Sequence, residues 1–111
     1  MKLKPHEALY LWRRRIWFTQ RQLAKREGYS VDEYIRRELN IVPLEPHLKQ
    51  LCGADTYKPT PEECCTIWRR RLGLSQEAIA EQVGCSRYWV GQMELGNVDS
   101  AVRKPYCRVY L

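Results

Sequence analysis

The sequence has no apolar run near the roughly 20 residues that a membrane-spanning helix requires. It also lacks, at its start, the charged, apolar and small-residue regions of a signal peptide. A chain without a membrane span in a cytoplasmic setting, either bacterial or in an infected host cell, is the expectation. The five cysteines, Cys52, Cys64, Cys65, Cys85 and Cys107, are odd in number and make none of the C-x-x-C pairs of structural zinc sites, so they read as reduced thiols. The two histidines, His6 and His47, are isolated. There is no glycine-rich phosphate loop, no Ser-centred elbow, no H-E-x-x-H and no acidic cluster with metal spacing. Neither catalysis nor a bound metal or cofactor is therefore expected. No strand signal of any length precedes Cys107 to Leu111, which reads as an edge strand or a docked tail.

What the 111 residues do contain is an ordinary globular composition, with 44% hydrophobic and 29% charged residues. Disorder is excluded by that apolar fraction. Nineteen Lys and Arg against thirteen Asp and Glu leave a net charge of +6, which favours a polyanionic partner, a nucleic acid first.

An internal repeat organises the chain. Residues 5–40 align without a gap on residues 61–96, and about 12 of the 36 positions are identical, including Pro5/Pro61, Trp12/Trp68, the triple arginines, Gln20/Gln76, Ala24/Ala80, Gly28/Gly84, Ser30/Ser86 and Glu38/Glu94. Two copies at so long a period indicate tandem duplication of one small helical domain, not a solenoid. The expected boundaries are 1–58 and 59–111, with a linker over residues 41–60 marked by Pro43, Pro46 and Pro59.

Each copy reads as three helices separated by turns. In the second copy Thr60, Pro61 and Glu63 form a capping box, Cys65, Trp68 and Leu72 supply a buried stripe, and Gly73 ends the first helix. Ser75 caps the next helix, Gly84 ends it, and Ser86 caps a third that turns Val90 and Met93 inward. The first copy repeats the plan with Leu9, Trp12 and Ile16 as stripe, and with Thr19/Gln22 and Ser30/Glu33 as capping boxes. Three consecutive arginines spread around most of a helix, so each run reads as a solvated face plus one structural arginine.

The string Leu74-Ser75-Gln76-Glu77-Ala78-Ile79-Ala80-Glu81-Gln82-Val83-Gly84-Cys85-Ser86, followed by Val90 and by Met93-Glu94-Leu95-Gly96, resembles the phage-repressor and Cro-like helix-turn-helix family, also called the XRE family. The match covers residues 61–96, and a weaker version covers 5–40, together about two thirds of the chain. The resemblance implies an all-α fold of two tandem lambda-repressor-like helix-turn-helix bundles. It also implies a sequence-specific regulator of transcription that binds double-stranded DNA, most simply a repressor from a phage or other mobile element. By the same resemblance Ser86 opens the recognition helix, and Arg87, Tyr88 and Gln92 map onto base-edge readers. Arginine forks onto guanine and an amide onto adenine. Gln76 would hold a phosphate at the preceding helix start. Arg69 and Glu94, and by repetition Arg13 and Glu38, correspond to a structural ion pair. Trp89 divides between an interface and a DNA-backbone contact, and Lys104 in the tail is a phosphate candidate.

The first copy departs from the pattern. Glu27 and Arg37 replace the apolar Val83 and Met93, which predicts a shifted third helix or a looser core, while Trp17 and Asn40 replace Gly73 and Gly96. Its reader positions carry Val31, Asp32 and Arg36, so Gln20, Arg21, Lys25 and Arg36 are expected to touch phosphates, if anything. A homodimer, and a protein partner held through the first domain, stay open. So does the alternative that the whole chain is a protein-interaction module on this scaffold.

Overall fold

A computed structural model describes residues 1–97. Among the described residues there are seven helices and no strand: α1 Pro5–Arg15, α2 Gln20–Glu27, α3 Val31–Glu38, α4 Pro46–Leu51, α5 Pro61–Arg71, α6 Gln76–Val83 and α7 Arg87–Glu94. None is long and apolar enough to cross a membrane. The chain divides into two compact units, Met1–Lys58 and Pro59–Leu111. The tail segment Cys107 to Leu111 and the candidate Lys104 lie outside the described residues.

Local chemistry starts and stops the helices. Thr19 and Gln22, Ser30 and Glu33, and Thr60 and Glu63 form reciprocal capping boxes, each side chain satisfying the other residue's N–H. Ser75 accepts from the N–H of Ala78, and Ser86 from that of Trp89. Such caps contribute about 1 kcal/mol each. The first helix of each unit ends in the same double hydrogen bond. Trp17 N–H donates to the Arg14 carbonyl and Phe18 N–H to that of Arg13, as Gly73 and Leu74 donate to Arg70 and Arg69. That closure needs a left-handed residue, and so φ is +69° at Gly73 but also +60° at Trp17.

The described cores differ in composition. In unit 1, Ala8, Leu9, Leu23, Ala24 and Tyr34 are buried together with Leu44, Leu48 and Cys52. The last three come from the segment expected to be a linker. It folds instead, because Leu44, Leu48 and Cys52 recur at helical spacing around α4 and give that helix one apolar side. In unit 2 the described core is Cys65, Ile79, Ala80, Val90 and Met93. The buried stripe of α5 is Cys65, Thr66 and Ile67, not Cys65, Trp68 and Leu72. Leu72 is 56% exposed because it lies just past the last turn of α5, at its C-cap, and Trp68 is only half-buried. On α1 the buried set is likewise Glu7, Ala8, Leu9 and Leu11, while Trp12 packs half-buried against the core and Ile16, at the C-cap, is only half-buried.

The third helix of unit 1 is not shifted, since α3 Val31–Glu38 stands at the repeat offset from α7 Arg87–Glu94. Arg37, at the position of Met93, forks its guanidinium onto Glu45, with Nε 2.9 Å from Oε2 and 3.0 Å from Oε1. It also stands 4.4 Å over the Tyr29 ring. Pairing with the N-cap Glu45 and stacking on Tyr29 give the charged residue its partners, so an apparently wrong residue ties α3 to the start of α4.

Candidate nucleic-acid interface

The centre of each unit is a charged network repeated almost atom for atom. In unit 2, Arg69 Nε donates to Glu94 Oε2 at 2.7 Å and Nη2 to Oε1 at 3.0 Å, while Nη1 reaches the Leu74 carbonyl at 2.9 Å. In unit 1, Arg13 makes the same bonds to Glu38 at 2.6 and 3.1 Å and to the Phe18 carbonyl at 2.9 Å. Each network thereby clamps the end of the first helix to the end of the third. The two glutamates are buried, and a buried carboxylate persists only when fully hydrogen-bonded.

Two of the residues mapped onto phosphate contacts belong to these networks. Gln76 Nε2 donates to Glu94 Oε1 at 3.1 Å, and Gln20 Nε2 to Glu38 Oε1 at 3.2 Å. One N–H of each amide is thus engaged with the buried carboxylate, and each amide keeps a second N–H besides the backbone N–H groups of its helix start.

The outer surface of α7 carries the other mapped residues. Arg87 is exposed, Tyr88 is 67% exposed and Trp89 is 46% exposed, the two rings meeting edge to face with centroids 5.7 Å apart. Gln92 is half-buried, and its Oε1 accepts from Asn97 Nδ2 at 3.0 Å, which leaves its own amide hydrogens available. Ser86 is exposed and holds the helix start through its cap. Arg87, Tyr88 and the outer edge of Gln92 thus share the first turns of one helix. Arg21 and Arg36 are exposed on α2 and α3 of unit 1.

The triple arginines part company. Arg13 is in the buried pair, Arg14 stands 5.4 Å over Tyr10, and Arg15 reaches the Lys58 carbonyl at 3.0 Å and lies over Tyr57. Among the described residues no group of three or more His, Cys, Asp or Glu is placed to hold a metal. His47 stacks on Tyr29, and its Nε2 is 3.1 Å from the Tyr29 hydroxyl, which also donates to Glu45.

The distribution of charge was missed in the sequence, although a count per unit reveals it. Residues 1–58 hold twelve Lys and Arg against seven Asp and Glu, a net of +5, whereas residues 59–111 hold seven against six, a net of +1. The described part of the second unit, residues 59–97, has four basic and five acidic residues. The unit with the stronger motif is therefore not the one that carries the positive charge.

No family model, curated protein or solved structure matches this chain.

Proposed function

We propose that the protein is a sequence-specific double-stranded DNA-binding regulator of transcription, in which α6 and α7 act as a helix-turn-helix and α7 enters the major groove. The observation that carries this reading is the α6–α7 corner. Ala80 is a small residue buried in one core with Val90 and Met93 of α7, Gly84 turns the chain at φ +75°, and Ser86 restarts it so that Arg87 and Tyr88 face outward from the first turn of the second helix. An arginine there suits guanine and a Gln92 amide suits adenine. We take repression, of the kind a phage or mobile element uses, as the sign of that regulation.

Selection of bound duplexes from a random pool tests it. A recovered motif preferred about 10³-fold over a scrambled control supports a regulator, and its half-site spacing reports how many recognition helices fill the site. Uniform, steeply salt-dependent binding to all duplexes counts against it.

A second reading, a protein-interaction module on the same scaffold, is favoured by one observation. The described part of unit 2 is slightly acidic and presents Tyr88 and Trp89 side by side, a pairing suited to an apolar protein pocket. Binding to one protein that survives high salt, without DNA preference, would replace the first reading by this one.

A further inference from the structure

The twin positions of α2 and α6 have opposite charge. Arg21 and Lys25 of unit 1 correspond to Glu77 and Glu81 of unit 2, one turn apart on the same helix face in each case. Arg21 and Lys25 are exposed, and among the described residues no carboxylate pairs with either. From Ala8 to Arg26 the chain has six Lys and Arg and no acidic residue, an interval that runs from α1 through the turn into α2. Of these, Arg14 is half-exposed near the end of α1, one turn before Trp17.

Trp17 itself is the least expected residue on this edge. It occupies a left-handed turn that its twin fills with Gly73, and it is 84% exposed. A bulky β-carbon at φ +60° is disfavoured, and burial offers this ring almost nothing in return. The turn is fixed by the hydrogen bonds of Trp17 and Phe18 to Arg14 and Arg13, so the ring is presented from rigid backbone two residues before the cap of α2. An exposed aromatic on a strained but well-held turn, flanked by cations, has the composition of a nucleic-acid contact in which phosphates meet the charges and a flat ring meets sugar or base.

We propose that this α1–α2 edge of unit 1 is a sequence-independent contact for the backbone of duplex DNA, with Arg14, Arg21 and Lys25 on phosphates and Trp17 against the adjoining deoxyribose or base edge. It deepens the DNA-binding reading and rests on it. Unit 1 supplies affinity and salt dependence, and unit 2 supplies preference.

The repeat provides substitutions already accommodated at the twin positions. Trp17→Gly introduces the residue of position 73, and Arg21→Glu/Lys25→Glu introduces those of 77 and 81. Both changes fall on exposed sites. The full chain is titrated with a labelled random-sequence duplex from about 50 to about 200 mM salt. Arg21→Glu/Lys25→Glu is expected to lower affinity at least about tenfold and to flatten the slope of log K against log salt by ~1.8, two phosphates' worth. Trp17→Gly is expected to weaken binding about fivefold with little change in slope. Lys49→Glu/Lys58→Glu carries the same charge change elsewhere in unit 1 and is expected to do much less. Arg21→Gln/Lys25→Gln repeats the test without added negative charge if the glutamate pair fails to fold by circular dichroism.

Folded variants with unchanged affinity and slope overturn the proposal. A control pair as damaging as the edge pair, a wild-type chain that does not bind the random duplex, or polyglutamate that competes as well as DNA does the same, the last by pointing to an acidic protein. The ratio of affinities for a selected and a random duplex reads unit 2 separately. No preference in the wild type, together with the expected losses at the edge, sinks the groove reading and leaves this contact standing.

Discussion

The guanidinium of Arg69 and the carboxylate of Glu94 meet in two parallel hydrogen bonds, 2.7 and 3.0 Å long, with the glutamate side chain wholly out of water. Twenty-five residues separate them, and the bond ties the end of α5 to the end of α7. Because the charge is buried, the pair's net stabilisation is modest, but the loss of one member strands the other.

Arg69→Met is accordingly expected to destabilise unit 2 by about 3 kcal/mol, and Arg69→Met/Glu94→Leu to recover much of that. Urea denaturation of the full chain, followed by circular dichroism, measures both. Equal destabilisation by the single and double variants would show that the pair stabilises far more than it costs to bury.

Tyr34 adds to unit 1 a bond for which unit 2 has no counterpart. Its hydroxyl donates to Glu38 Oε2, where the twin residue is Val90. Burial and the neighbouring carboxylate hold the phenol neutral, pushing its pKa well above 10.0. Tyr34→Phe is expected to cost about 1.5–3 kcal/mol in unit 1, read by the same denaturation, since it deletes a hydrogen bond to a charged group.

Trp17→Gly should leave unit 1 more stable, by about 0.5–1 kcal/mol. Relief of the left-handed strain outweighs the extra chain entropy of glycine, and the exposed ring has little packing to lose. A raised thermal midpoint together with weaker DNA binding would separate the contact made by the ring from its effect on folding.

Acid should act on unit 1 through Glu45. The hydrogen bonds from Arg37 pull its carboxyl down from 4.5 to about 2, so the folded state binds this proton less readily than the unfolded chain. Stability from this group is therefore present above pH 4.5 and is lost as the pH falls toward 2. Glu45→Gln should reduce stability at neutral pH and flatten the acid limb of the unfolding curve between those values. An acid limb identical to wild type would remove Glu45 from the account.

Arg87→Ala is expected to lower affinity for a selected duplex about 10-fold or more while broadening the sequences accepted at one base position. Competition binding with single-base variants of the selected site reads this out. Uniform loss across all of them would place Arg87 on a phosphate instead of in the groove.

Much of this protein is written locally. The capping boxes at Thr19, Ser30 and Thr60 and the turns at Gly28, Gly73 and Gly84 depend on residues within a few positions of one another, so spacing alone determines where these helices begin and end. The gap-free repeat carries the same information from one unit to the other, left-handed geometry at Trp17 and Asn40 included. Tertiary packing decided the rest. Spacing did not reveal that Gln20 and Gln76 turn inward to Glu38 and Glu94, because those bonds span eighteen residues. Nor did it reveal that residues expected to link the domains contribute Leu44 and Leu48 to a core, or that Arg37 closes that core with Glu45. A helical period identifies an apolar side but not what covers it, and the partner that lets Arg37 stand at an apolar position comes from the next helix's cap, beyond the reach of that period.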